Sequence, residues 1–279
     1  MNNQTTQTGA NETTNSAGKG TAVVTGASAG LGKIYADRLA KRGYDLILIA
    51  RRGDKLNSVA ESLRSNYGVV VHTLVADLGL SGDVDNVVSA ITRDNSITLL
   101  VNNAGTSTLA PVAATTPAQL ESMNSVNVTA LTRLSHAILP VFKARNQGTL
   151  INIGSILGIH TLPISSIYSG TKGYVQNFTR GLQDEVIGTN VIVQLVMPSS
   201  TATDIWELSG VPLSQLNQAS IMSAEDCVDA ALAGLDQGEL VTLPSVEDTR
   251  LFAAYDATRI ALFQASQNGR PASRYTSGK

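Results

Sequence analysis

The sequence predicts an α/β protein built on a doubly wound parallel sheet. Short β-branched and aliphatic runs alternate with amphipathic stretches from Thr21 to about residue 245. The runs are apolar on both faces, which calls for helices on each side of a parallel sheet. A glycine-rich turn joins the first run to the first amphipathic stretch. Right-handed crossovers then wind such a chain in both directions from its centre.

The elements follow in order. "TAVVT" (21–25) is a β-branched run of buried-strand type. "KIYADRLAKRG" carries helical apolar spacing and stops at Gly43. "DLILIA" (45–50) is the second strand, "DKLNSVAESLRSNYG" a helix, "VVVHTLVA" (69–76) the third strand and "SGDVDNVVSAITRD" a helix. "ITLLVNN" (97–103) is the fourth strand, and a long helical stretch covers roughly 117–145. "GTLINIGS" (148–155) is the fifth strand, followed by helix over 167–186. "NVIVQLVM" (190–197) is the sixth strand, stopped by Pro198. Helix over 223–237, the seventh strand "ELVTLPS" and helix over 247–266 complete the pattern. Residues 1–18 are expected as a disordered polar tail, 19–266 as a single catalytic domain and 267–279 as a loose C-terminal tail.

Composition narrows the function. The 279 residues are 43% hydrophobic and 15% charged, enough for a large core, and the net charge of −2 gives no basic surface for nucleic acid or anionic membrane. Cys227 is the single cysteine, so no internal disulfide forms. His72, His136 and His160 lack metal-ligand spacing, and no metal site is expected. No apolar run reaches the roughly 20 residues of a membrane span. The first twenty residues lack the basic and apolar regions of a secretory signal. A cytoplasmic location is expected.

The turn "TGASAGLG" lies between the first strand and the first helix. Gly26 permits the tight turn, Gly30 lets a ligand backbone approach, and Gly32 lets helix and strand pack closely. The helix N-terminus offers free N–H groups to a pyrophosphate. Gly26, Ser28, Ala29, Gly30, Leu31 and Gly32 are therefore candidate dinucleotide contacts. Strand two ends "IARR", so Ala50, Arg51 and Arg52 stand where a ribose-binding carboxylate is usual. Arginine grips a phosphate in a bidentate manner where a carboxylate would repel it, which points to NADP(H).

In their order and spacing, "TGASAGLG" (25–32), "ADL" (76–78), "NNAG" (102–105), "SVN" (125–127), "NIGS" (152–155) and "YSGTK" (168–172) resemble the short-chain dehydrogenase/reductase family over about residues 20–245. The resemblance implies a Rossmann fold and a carbonyl reductase, or the reverse alcohol dehydrogenase, dependent on NADPH. It assigns Asp77 and Leu78 to the adenine end, and Asn103, Ala104 and Gly105 to the side of the cofactor ribose. It assigns Pro198 and Thr203 in "PSSTAT" to the nicotinamide end, with Ser199 where the family usually has glycine. It further implies a homodimer or homotetramer formed through the helices over 117–145 and 167–186.

Carbonyl reduction needs a proton donor beside the hydride source. Tyr168 and Lys172 are spaced i, i+4 and share a helix face. A nearby ammonium is expected to lower the phenol's pKa from its ordinary ~10. The family likeness makes Ser155 the hydrogen-bond donor to the substrate oxygen, and Asn127 the holder of a water that links Lys172 to solvent. His160, between Ser155 and Tyr168, and Trp206, in the stretch 203–220 that resembles the family's substrate lid, are candidate substrate contacts. Two alternatives are a redox sensor that binds NADP(H) without turnover and a sugar-nucleotide epimerase or dehydratase. The complete Ser–Tyr–Lys set argues against the first. The second resembles longer chains with a separate substrate domain.

Overall fold

The computed structural model describes residues 19–276. The expected polar tail, residues 1–18, lies outside the described residues. The strands are β1 (Thr21–Thr25), β2 (Asp45–Ala50), β3 (Val71–Val75), β4 (Ile97–Asn102), β5 (Gly148–Ile153), β6 (Val191–Val196) and β7 (Val241–Thr242). They form one sheet in the order β3-β2-β1-β4-β5-β6-β7, and every pairing is parallel. The doubly wound α/β class is thereby established. β7 pairs with β6 over two residues, Val241 and Thr242, rather than the seven of "ELVTLPS", because Pro244 lacks the N–H that would continue the ladder.

The helices are α1 (Gly30–Lys41), α2 (Gly53–Tyr67), α3 (Ser81–Arg93), α4 (Pro117–Asn124), α5 (Leu131–Arg145), α6 (Ser166–Glu185), α7 (Ile205–Ser209), α8 (Ala224–Asp236) and α9 (Thr249–Ser266). Two apolar layers sandwich the sheet. On one side, Tyr35 and Leu39 of α1, Leu56 and Leu63 of α2 and Val228 and Leu232 of α8 pack on β1 and β2. On the other, Val84 and Ile91 of α3, Leu134 and Phe142 of α5 and Leu182 of α6 pack on β4, β5 and β6. The helix over 117–145 is continuous but not uniform. Thr116 and Gln119 form a capping box at its start, and Ser125–Ala130 winds as a π-helical segment between α4 and α5. Such wide turns re-aim side chains and recur at functional sites; here the segment contains Asn127.

The α/β unit ends at Pro244, and the segment from Ser245 forms a unit of its own. Physically, β7 is the last strand, and α9 is not a crossover to another. Within the second unit, Asp248 caps α9 by accepting from the Arg250 N–H at 3.0 Å.

The order in which the strands are added reverses between β1 and β4, while all of them run parallel. In open parallel sheets, ligands bind in the crevice at the carboxyl ends of the strands that flank such a switch. The glycine turn follows β1 and "NAG" follows β4, so both motifs meet at that crevice.

Candidate active site

The glycine turn is locked to the end of β4 by a small set of hydrogen bonds. Thr25 Oγ1 accepts from the backbone N–H of Asn103 and of Ala104, each at 3.0 Å, and donates to the Val101 carbonyl at 3.2 Å. Asn103 Nδ2 donates to the Thr25 carbonyl at 2.9 Å. The turn packs tightly on this clasp. A Cβ at Gly32 would sit 2.4 Å from the Gly26 carbonyl oxygen and 2.5 Å from Asn103 Nδ2. Gly26 has φ +68°, in the left-handed region that glycine tolerates. The first turn of α1 carries no acidic residue, and its N-cap, Ala29, makes no side-chain cap. Its leading N–H groups face the crevice as an anion site.

At the far end of the turn, Arg52 Nη2 lies 3.4 Å from Ser28 Oγ and 3.9 Å from Asp204 Oδ2. Arg51 lies 3.7 Å from Asp77 Oδ2. Ala50, Arg51, Arg52, Asp77 and Leu78 line the same end of one cavity. That cavity, about 570 Å³, is also lined by the glycine turn, by Asn103, Ala104 and Gly105, by Ser155, Tyr168 and Lys172, and by Pro198, Thr203 and Trp206. Ser28, Ala29, Gly30 and Leu31 line it as well. Thr203 closes over the turn: a Cβ on Gly30 would meet its side chain at 3.3 Å.

β5 stops at Ile153, two residues short of the expected end, and Ser155 caps the 3₁₀ turn Ile156–Gly158. Ser155 Oγ accepts from the Leu157 N–H at 3.1 Å and hydrogen-bonds Tyr168. α6 brings Tyr168 and Lys172 onto one face: Lys172 Nζ lies 5.8 Å from the Tyr168 ring centroid. The ammonium donates to the Ile153 carbonyl at 2.9 Å. Asn127 sits opposite. Its Oδ1 accepts from the Thr106 N–H at 2.8 Å, while Nδ2 donates to the Thr106 carbonyl at 2.9 Å and to Thr171 Oγ1 at 3.1 Å. The amide is a clamp on the Thr106 backbone, with both its protons in use. Asn127 and Lys172 face each other across Gly105, whose added Cβ would lie 3.4 Å from Asn127 Oδ1 and 3.8 Å from Lys172 Nζ.

Of the two candidate substrate contacts, Trp206 lines the cavity, with its indole N–H on the Thr201 carbonyl at 2.8 Å. His160 does not: it is exposed and absent from the wall. It sits just beyond the 3₁₀ turn, which points inward through Ile156 and Leu157 instead. Sequence reasoning missed Thr25 and the Thr106 and Thr171 partners of Asn127. It also missed the apolar wall formed by Leu109, Leu157, Ile164, Val211 and Leu216. Only Thr25 had a signal, as a hydroxyl residue at a strand end directly before the first glycine of the turn. Among the described residues, no cluster of acidic, His or Cys side chains could hold a metal, and no helix is long and apolar enough to cross a membrane.

The short chain dehydrogenase family model matches residues 20–210, which spans both the glycine turn and the Ser155–Tyr168–Lys172 set. The chain belongs to the short-chain dehydrogenase family. A short-chain dehydrogenase from Sphingobium yanoikuyae, solved in complex with NADPH, is 37% identical and superposes with a TM-score of 0.88, covering 92% of this chain and 100% of that one. A bulky-bulky ketone specific alcohol dehydrogenase from Comamonas testosteroni is 32% identical with a TM-score of 0.84, covering 92% and 98%. The very-long-chain 3-oxoacyl-CoA reductase-A of Danio rerio is 36% identical over 208 residues, 73% of this chain and 65% of that protein. The chain therefore spans less than two thirds of that relative's length.

Burial sets the electrostatics of this dehydrogenase site. The Tyr168 hydroxyl is pushed up to about 12 by desolvation, and the Ser155 hydrogen bond offsets only part of that. This reverses the downward shift expected from the neighbouring ammonium. The reason is geometric: Lys172 spends its short contact on the Ile153 carbonyl and not on the phenol oxygen. Lys172 is itself lowered to about 8 by burial. At neutral pH the phenol holds its proton and the amine is mostly charged. Nuclear magnetic resonance of isotope-labelled lysine should show one side chain titrating near 8, absent from a Lys172→Met variant. If every lysine titrated near the ordinary ~10.4, the buried ammonium would be wrong.

Proposed function

We propose that this protein is an NADPH-dependent carbonyl reductase, with the reverse alcohol oxidation open to the same groups, and that Tyr168 is its general acid. The observation that carries this is a half-buried Tyr168 in a hydrogen bond with Ser155, beside Lys172, in a cavity continuous with the glycine turn.

The crevice fits a phosphorylated dinucleotide. The uncapped, acid-free N-terminus of α1 suits a pyrophosphate. Arg51 and Arg52, with Ser28 beside Arg52, suit a 2′-phosphate, and Ala50 supplies no carboxylate to oppose it. The NADPH held by the Sphingobium relative is consistent with that fit. When bound, the cofactor supplies the hydride.

The chain's own residues do the rest. Ser155 and Tyr168 together position a carbonyl oxygen by hydrogen bonds. Tyr168 gives its proton to that oxygen as negative charge builds there. The Lys172 ammonium, held by the Ile153 carbonyl, stabilises the phenolate left behind. Asn127 positions Lys172's surroundings by fixing the Thr106 backbone that follows Gly105. The apolar wall keeps water from competing for the proton.

Tyr168→Phe should preserve the fold and cofactor affinity while lowering kcat by ~10²–10⁴-fold, the usual loss on removing a general acid. Near-unchanged turnover of a ketone in steady-state assays would refute the role of Tyr168. Arg51→Ala should raise the KM for NADPH about tenfold or more, since one charge-assisted hydrogen bond contributes ~1.5–3 kcal/mol, and leave that for NADH nearly unchanged. Ala50→Asp should go further, repelling the phosphate and improving NADH. A wild-type preference for NADH, or equal loss of both cofactors in Arg51→Ala, would contradict the phosphate site.

A further inference from the structure

The charges on the cavity wall are confined to two places. Arg51, Arg52, Asp77 and Asp204 gather at the adenosine end, within the ion pairs already described, and Lys172 lies at the catalytic centre against the Ile153 carbonyl. Among the described residues, the remaining wall of the cavity carries no charged side chain. It is built from Leu109, Leu157, Ile164, Trp206, Val211 and Leu216. Several of its polar groups are already satisfied internally. Trp206 donates to the Thr201 carbonyl at 2.8 Å, Ser209 Oγ donates to the Trp206 carbonyl at 2.7 Å, and Thr201 Oγ1 donates to the Ser199 carbonyl at 3.1 Å. The apolar surface continues to the outside. Leu162 and Leu208 line the cavity while 43% and 64% exposed.

From this wall we infer that the substrate is a bulky, electrically neutral ketone gripped by apolar contact on its flanks, and that the wall holds no subsite for the phosphates of a coenzyme A thioester. The inference rests on the carbonyl-reductase reading and specifies its substrate. The argument is one of chemistry. A coenzyme A thioester brings several phosphate charges to the mouth of its site. Binding energy from them requires lysines or arginines there, each charge-assisted contact contributing ~1.5–3 kcal/mol. Among the described residues, this wall provides none beyond Arg51 and Arg52 at the adenosine end and Lys172 at the catalytic centre. Phosphates held against this wall would meet no further cationic partner and gain no affinity from it. Apolar flanks, by contrast, gain ~25 cal/mol for each Å² they remove from water. The two 3-oxoacyl-CoA and bulky-ketone relatives therefore make opposite predictions for this chain, and its wall sides with the latter.

Trp206 is the chain's only tryptophan and sits in the wall, so its emission reports binding without turnover. The test compares dicyclohexyl ketone, 3-oxododecanoyl-CoA and the neutral N-acetylcysteamine thioester of the same acid. Each is titrated against Trp206 fluorescence in the full chain and assayed for NADPH oxidation. Dicyclohexyl ketone should change the emission and be reduced. The coenzyme A thioester should show no kcat/KM advantage over its N-acetylcysteamine analogue. An advantage of about tenfold, the scale of one charge-assisted contact, would overturn the inference and leave carbonyl reduction intact. An emission response to the coenzyme A thioester alone would overturn it as well. Binding of the neutral ketone with no NADPH oxidation by any of the three would support the apolar chamber and sink the reductase reading.

Discussion

The clasp between Thr25 and Asn103 is the contact on which the site depends. Parallel strands β1 and β4 are neighbours, but the chain leaves them toward opposite faces of the sheet. A tie at their carboxyl ends extends the β1–β4 ladder, which runs to Val24 and Val101, into the crevice. One hydroxyl, Thr25 Oγ1, satisfies two backbone N–H groups of the β4 exit, and one side-chain amide returns a hydrogen bond to the β1 exit. Leaving such buried groups unpaired costs ~1–3 kcal/mol each. The clasp therefore fixes both the glycine turn, packed on Asn103, and the placement of Gly105 beside Lys172 Nζ.

A second consequence follows from that placement. Gly105 brings the main chain close to the ammonium, and Thr106 next to it is held by Asn127 from the π-helical segment. α6 meets this backbone from the other side through Thr171, which also donates to the Tyr168 carbonyl at 2.7 Å. The phenol and the amine are thus positioned by a network that starts at the sheet and ends at the helix. Burial then assigns their protonation: the phenol up, the ammonium down. A proton donor that stays protonated and a cation that stays mostly charged at neutral pH are what carbonyl reduction asks of a protein.

Much of this was legible from the residues. The β-branched runs of β1, β2, β4, β5 and β6 are buried on both faces, and burial of that kind leaves a continuous apolar signature. The glycine turn and the Tyr168–Lys172 spacing are local, so their geometry follows from the chain itself. What was not legible depends on distant parts of the chain. Asn127 reads as a polar residue in a helix until its partners, Thr106 and Thr171, are brought to it by folding. The sign of the Tyr168 shift needed its burial, and i, i+4 spacing says nothing about that. His160 and Leu157 are three residues apart, yet only the latter faces the cavity, because a 3₁₀ turn intervenes. α7, Ile205–Ser209, is a single short helix and carries no periodic signal long enough to detect.

In the proposed reaction a carbonyl carbon receives hydride in this crevice while Tyr168 serves the oxygen. The most direct measurement is a turnover of dicyclohexyl ketone with NADPH deuterated at both C4 positions of the nicotinamide, the alcohol being analysed by mass spectrometry and nuclear magnetic resonance. One deuterium is expected on the carbinol carbon, transferred from the cofactor. An alcohol with no deuterium on that carbon would contradict this reaction.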